Sequence, residues 1–404
     1  MTSELSNFEI RPIDAESRSQ YIDLCGYCFG GKPDDYQNYL VEEQEFACSL
    51  AAFDGDRMAS AMRYFPFDMR VRDSFVGMGG VAAVTTWPEY RNRGLVRELL
   101  SRLQAMMREE NRPLSVLMPF KYSYYYDMGW APTFDMVKAE FEPTKLRRFS
   151  DEGYVVRKVL NTDEWETLEA LNAEYGTRYN GPVCRGRLYW ERRYFQRGGK
   201  NRDIYLVEKD GEARGYIVCY LTEPKGDGSF DRDCLVLQVV WLDPGVERAI
   251  FDFFRSHRDQ IKKVKMYLPP DVRIAHHFDN PEIEQKLQPK MMTKLVDVAA
   301  AIEAIGYDTT LSGGVSLRVA GERTAPWNEG VWQLTFADGK ASVTQADAAQ
   351  AAVEITVQHL AELYMGYRTV EHLQESLQIA GPEDQLEKLA AAFPAHATYI
   401  DDWF

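Results

Sequence analysis

Between residues 74 and 107 the spacing of apolar positions changes from a strand's to a helix's. The run "SFVGMGGVAAVTTWP" reads as a strand that ends at Pro88, and Leu95, Val96, Leu99, Leu100, Leu103, Met106 and Met107 then fall on one helical stripe. Upstream, "FEIRPID" alternates like a strand and residues 14–29 read as a helix. "FACSLAAFDGDRMASAMRYFPFDMRV" follows as two β runs joined at Asp54-Gly55. Downstream, "PLSVLMPF" is a short buried strand and "YSYYYDMGW" one or two helical turns closed by Gly129.

The plan then partly repeats. "IYLVEKDGEARGYIVCYL" is again two β runs around an Asp-Gly turn, and "CLVLQVVWLDPGVERAIFDFFRSH" is again strand then helix. Where the first half has Arg91, Arg93 and Gly94, the second has Asp243, Pro244 and Gly245. The pattern changes once more near residue 290: "MMTKLVDVAAAIEAI" reads as a helix, "GGVSLRVAG" and "GVWQLTFADGKASVTQ" as antiparallel strands turning at Asp338-Gly339, and 358–393 as largely helical. The predicted fold class is α/β (α+β), two related mixed-sheet domains at 1–150 and 151–289 and a third α+β domain at 290–404.

With 404 residues the chain is long enough for several cores, and 45% hydrophobic against 27% charged residues suits an ordered protein. Its net charge of −15 would repel nucleic acid and anionic membranes and attract cationic partners. The N-terminus lacks the features of a signal peptide and no apolar run reaches membrane-spanning length, so a cytoplasmic protein with no membrane or nucleic-acid partner is expected. Six scattered cysteines do not form a disulfide framework. Cys25 and Cys28 are expected to be ordinary buried thiols, His276 and His277 loop residues, and no metal is expected.

The junction "TTWPEYRNRGLVRELL" carries the chemistry. A helix N-terminus offers free N–H groups and the positive end of the macrodipole, Gly94 lets an anion approach the backbone, and Arg91, Arg93 and Arg97 add cationic donors. If the preceding strand edge is open, an extended amide-bearing ligand can pair with it. Pyrophosphate joined to an extended chain of amides describes coenzyme A. Acyl transfer from its thioester also needs a proton donor for the departing sulfur, and a phenol stays protonated at neutral pH. Tyr122, Tyr124, Tyr125 and Tyr126 are all candidates.

"VAAVTTWPEYRNRGLVRELL" resembles the acetyl-CoA motif of the GCN5-related N-acetyltransferases, in which a strand leads into [Gln/Arg]-x-x-Gly-x-[Gly/Ala]. Arg91 and Gly94 match, and Val96 stands where the last small residue falls. The whole plan resembles the enhanced intracellular survival family: a GNAT domain, a degenerate second one, and a domain like the sterol carrier proteins. That resemblance implies acetyl-CoA as acetyl donor, bound by Val84, Thr85, Thr86, Asn92, Arg93, Gly94, Leu95, Val96 and Arg97, with Phe120 and Lys121 beyond the next strand. It selects Tyr125, four residues before Gly129-Trp130, as general acid, and makes the terminal carboxylate, here on Phe404, the general base. It implies primary-amine substrates, aminoglycoside-like or Lys-containing, and a homo-oligomer, a hexamer.

Acidic residues at 23, 34, 35, 401 and 402 are candidates to gather a cationic amine at the entrance. The competing reading is a non-catalytic protein that binds an apolar ligand or coenzyme A through its sterol-carrier-like domain.

Overall fold

The computed structural model describes residues 7–30, 48–149, 153–195, 202–224, 232–347 and 353–402. The chain divides into two compact units, one drawn from residues up to Phe134, Lys290–Thr398 and Asp402, the other from Asp135–Pro289 and Tyr399–Asp401. The segments expected as first and third domains therefore share a unit, and the expected boundary at 150 falls inside the second unit. The dividing point lies within a strand, where no composition change marks it.

In the first unit, β1 (Glu9–Pro12), β2 (Ser49–Asp54), β3 (Arg57–Val71), β4 (Ser74–Thr86) and β5 (Leu114–Leu117) lie side by side in chain order. All neighbours are antiparallel except β4 and β5, which are parallel. Helix α1 (Arg18–Phe29) packs its Tyr21, Leu24 and Cys25 against Phe53 and Met58. Between β4 and β5 runs α2 (Leu95–Glu109), whose buried Leu95, Leu99, Leu100, Leu103 and Met107 form the predicted stripe, with Val96 and Met106 at its margin. A five-residue helix, α3 (Tyr122–Tyr126), follows β5. It leads into β6 (Ala131–Phe141).

The second unit repeats this grammar. From β6 its sheet runs through β12 (Lys263–Leu268), β11 (Asp233–Trp241), β10 (Glu212–Leu221) and β9 (Asp203–Lys209) to β7 (Tyr154–Lys158). Only β11 and β12 are parallel. Between them lies α6 (Pro244–Ser256), which buries Val246, Ile250, Phe251 and Phe254 in a core shared with Trp190 and Tyr216. Helices α4 (Trp165–Gly176) and α5 (Gly186–Trp190) and the two-residue β8 (Val183–Cys184) complete it.

The stretch 291–305 corrects the sequence reading. Its first five residues end β13 (Glu284–Leu295), which pairs antiparallel with β5, Met292 opposite Leu117 and Leu295 opposite Leu114; only Val298–Glu303 is helical, as α7. Five consecutive buried side chains, Met291–Leu295, suit a strand covered on both faces, and tertiary pairing overrides the helical spacing. After α7, β14 (Gly313–Ala320), β15 (Gly330–Ala337) and β16 (Lys340–Gln345) form the expected antiparallel sheet. Asp338 and Gly339 turn it with φ of 51° and 74°, the primed hairpin geometry. The sequence reading missed β17 (Val353–Thr356), which lies parallel to β14. Helices α8 (Val357–Tyr364), α9 (Val370–Glu375) and α10 (Glu383–Ala392) finish the segment.

Candidate active site

Strand β4 bends where β5 leaves it. Ala61 faces Thr85 while Arg63 faces Ala82, so two residues of β4, Ala83 and Val84, oppose the single Met62. Ala83 adopts a left-handed φ of 50°, a conformation that costs a non-glycine residue about 1 kcal/mol. The β4–β5 ladder ends at Val81 opposite Leu117, just before the bulge, and among the described residues Thr85 and Thr86 are in register with β3 alone. Among the described residues no second strand pairs with β4 there, the arrangement that an extended amide chain needs. Val84 and Thr86 are half-buried; Thr85 is turned inward, its hydroxyl donating to the Ala61 carbonyl at 3.1 Å.

After β4 the chain makes a turn at Pro88–Tyr90 and then enters α2. Asn92 and Gly94 both have positive φ, 63° and 83°, and Gly94 is the N-cap. Among the described residues no side chain caps this helix, so no carboxylate or hydroxyl of those residues fills its first amides. Arg91, Asn92, Arg93, Gly94 and Arg97 are exposed, Val96 half-buried and Leu95 buried. Arg91 donates to the Thr86 carbonyl at 3.3 Å and Arg93 to the Glu89 carbonyl at 3.0 Å, which ties the turn to the strand end.

The corresponding junction of the second unit is closed. Asp243 caps α6, its Oδ1 accepting from the amides of Gly245 at 2.9 Å and Val246 at 3.0 Å. The Tyr154 hydroxyl donates to the same carboxylate at 3.0 Å, and its ring lies so close that a Cβ on Gly245 would sit 2.2 Å from the phenol oxygen. These amide bonds and Arg214 hold the Asp243 carboxyl below the usual range despite its burial. A helix terminus filled by its own carboxylate cannot accept a phosphate.

Beyond β5, Phe120 is 73% exposed and Lys121 exposed, while Tyr125 is only 3% exposed. The Tyr125 ring meets Phe120, Tyr124 and Trp130 edge-on at 5.6, 5.3 and 6.4 Å. Burial raises its phenol well above the ordinary value, so it stays protonated across the neutral range. Tyr122, Tyr124 and Tyr126 are exposed on the same short helix. Burial also raises the Tyr124 phenol, and the Arg97 charge opposes that rise, which sets the start of α2 within electrostatic reach of the tyrosine cluster.

Sequence reasoning missed the group that underlies this helix. Lys294 of β13 is fully buried, and its ammonium donates to the Met128 carbonyl at 2.9 Å, to Glu322 at 2.6 Å and to the Thr324 hydroxyl at 2.7 Å. Burial draws its pKa down to about 8, against the opposing pull of Glu322. The same Glu322 oxygen accepts from the amides of Arg323, Thr324 and Ala325, each at 2.8 Å. Gly129 has φ +96°, and a Cβ there would stand 2.9 Å from the Lys294 nitrogen, so both backbone and space require glycine. A charged residue inside the apolar run "MMTKLV" was the available signal.

The remaining candidates separate. Phe404 lies outside the described residues, as do Asp34 and Asp35. Asp23 is exposed, but Asp401 and Asp402 are buried, and Asp401 pairs with the buried Arg185 at 2.9 Å. Those two acids are structural, not a solvent-facing trap for cations. Cys25 is buried as expected, and Cys28 half-buried. His276 and His277 do lie in a short turn, yet the fold brings Glu247 to them, with ligand-capable atoms of the three within 4.8 Å. His277 stacks on Phe251 and hydrogen-bonds Glu247 at 2.9 Å, the arrangement of a buried polar pair. Among the described residues no helix is long and apolar enough to cross a membrane.

Two models described as an acetyltransferase (GNAT) domain match residues 9–133 and 181–298, and a sterol carrier protein domain matches 298–401. An uncharacterized N-acetyltransferase of Streptomyces griseus is 22% identical over 398 residues, 91% of this chain and 92% of the relative. The N-acetyltransferase Eis of Mycobacterium tuberculosis is 23% identical over 331 residues, 78% of this chain and 77% of the relative. A GCN5-related N-acetyltransferase from Anabaena variabilis has the same fold, with a TM-score of 0.86 at 20% identity over 98% of this chain and all of that one. Two GNAT domains followed by a sterol-carrier-like domain make the chain an acyltransferase of the GCN5-related N-acetyltransferase type, similar along most of its length to the Eis N-acetyltransferases.

Proposed function

We propose that the first unit moves an acetyl group from acetyl-CoA to a primary amine of a cationic substrate, aminoglycoside-like or Lys-containing. The observation that carries this reading is the uncapped start of α2, set beside the β4 edge that β5 abandons. The amides from Gly94 to Arg97, with Asn92 and Arg93 in the turn, fit a diphosphate, and Val84, Thr85 and Thr86 offer the backbone edge for the pantetheine amides. Phe120 and Lys121, exposed just beyond β5, complete the proposed cofactor contacts.

The donor supplies an acetyl group activated as a thioester. The amine must be neutral to attack, so a base takes its proton; the terminal carboxylate of Phe404 has that role by family resemblance. As the carbon–nitrogen bond forms and the carbon–sulfur bond breaks, Tyr125 gives its proton to the sulfur. Its burial keeps that proton in place until charge develops on the thiolate. In keeping with the family resemblance, the enzyme works in the cytoplasm as a hexamer.

The test is a pair of measurements on the full chain. Acetyl-CoA at 100 times its Kd should stabilise the fold by about 2.7 kcal/mol in thermal denaturation. A panel of polyamines, aminoglycosides and Lys peptides should release coenzyme A. An unchanged melting temperature at millimolar acetyl-CoA would favour instead an apolar-ligand carrier built on the C-terminal domain.

A further inference from the structure

Helix α3 is five residues long, too short to be stable without tertiary support. The carbonyls at its end and just beyond it are held from outside. The Tyr126 carbonyl accepts from the Gln358 side chain at 2.8 Å, and the Met128 carbonyl accepts from Lys294 at 2.9 Å and Thr324 at 3.2 Å. Arg323 pairs with Asp127 at 2.7 Å, and Tyr126 meets His359 at 3.3 Å. Apart from Lys294 at its threshold, every one of these partners belongs to the sterol-carrier-like segment.

The buried centre of this grip is unusually complete for a charged group. The three protons of the Lys294 ammonium have three acceptors, and its nitrogen lies 5.0 Å from the Trp130 ring centre, against which Tyr125 also packs. Thr324 is fixed in turn by Gln104 of α2, at 2.9 Å. One buried cluster thus connects α2, which begins at the Arg-rich turn, with the loop that ends α3.

We propose that Lys294 and Glu322, together with Gln358, are positioning residues that aim the Tyr125 phenol, so that the sterol-carrier-like segment is a structural part of the acetyl-transfer site. This rests on the reading of Tyr125 as the proton donor. A catalytic group must be held to a fraction of an ångström, and a misplacement of 1 Å can lower turnover about 100-fold. Without the ammonium bond, the Met128 carbonyl loses its main anchor and the turn at Asp127–Gly129 is free to relax.

Removing Lys294 alone would leave the buried Glu322 charge without its counterion, so the decisive variant is Lys294→Met with Glu322→Gln, which removes both charges and keeps an acceptor for the amides of Arg323, Thr324 and Ala325. It should keep a wild-type Kd for acetyl-CoA and a cooperative melt, while kcat falls at least about tenfold. Adding Tyr125→Phe should then lower kcat little further, because both changes disable one device. A folded double variant with wild-type kcat, or full additivity with Tyr125→Phe, overturns the proposal. Should that variant not fold, Gln358→Leu carries the same comparison, with a lowered kcat and non-additivity expected and a wild-type kcat refuting it. Retained activity in Tyr125→Phe alone would instead remove the proton-donor reading itself.

Discussion

The Asp243 carboxylate rests 3.0 Å from the Val246 amide, at the place in the second unit where the first leaves the start of its helix uncapped at Gly94. One carboxylate separates two copies of the same strand-to-helix junction: it fills in one the helix start that is proposed to hold a diphosphate in the other. The contrast is testable in both directions.

Gly94→Asp should import the second unit's condition into the first. A carboxylate at that N-cap competes with phosphate for the same amides, and the left-handed φ of 83° adds strain. Loss of a single charge-assisted hydrogen bond, about 1.5–3 kcal/mol, raises Kd at least roughly tenfold. Calorimetric titration with acetyl-CoA would measure it, and an unaltered Kd would place the phosphates elsewhere.

Asp243→Ala should act on stability alone. It removes the cap of α6 and the partner of Tyr154, so folding should weaken by about 1–2 kcal/mol without change in acetyl-CoA affinity. Gain of a second cofactor site in this variant would show that the carboxylate, and not the missing arginines, silences the copy.

Among the tyrosines, only Tyr125→Phe should abolish transfer. Expected is a fall in kcat of about 100-fold or more with acetyl-CoA affinity retained, the range of general acid catalysis. Tyr124→Phe and Tyr126→Phe, exposed on the same helix, should keep kcat within about threefold. Steady-state kinetics with saturating amine decides between them.

Deleting Phe404 should stop turnover and leave acetyl-CoA binding intact, since the base acts on the amine and not on the donor. Undiminished turnover would assign proton removal to another group or to water.

A pH dependence follows from Glu362 on α8. Burial raises its carboxyl to about 6, partly offset by Arg368 at 3.3 Å, and His359 and Tyr126 stand nearby. Because the folded value exceeds the unfolded one of roughly 4.3, the folded state binds the proton more tightly. Its favourable contribution is complete below the unfolded pKa and is lost as pH rises through about 6. The loss amounts to about 2 kcal/mol. Urea denaturation at pH 4.5 and 7 should therefore show the wild type losing that much relative to Glu362→Gln; a constant difference between the two proteins would refute it.

What the sequence disclosed was local. The stripe from Leu95 to Met107, the Asp54-Gly55 and Asp338-Gly339 turns and the echo between halves were all visible, because period and turn chemistry act over a few residues. What stayed hidden was set by distance along the chain. The bulge at Ala83 has no local signature, since alanine has no preference for a left-handed φ and only the ladder with β3 imposes it. Residues 291–295 read as helix because β5, their partner, lies some 175 positions earlier. The burial of Asp401 depends on Arg185, equally remote, and so two acids that looked like bait for a cation turned out to be structural.

The pairing of β13 with β5 also constrains how the protein is made. As the ribosome extends the chain, β5 emerges with its outer edge bare and must wait for the whole of the intervening domain to be synthesised before Met292–Leu295 can cover it. At roughly 5–20 residues per second that interval lasts on the order of ten to forty seconds, during which the nascent first segment is the species most exposed to aggregation. An excised N-terminal fragment would remain in that vulnerable condition permanently.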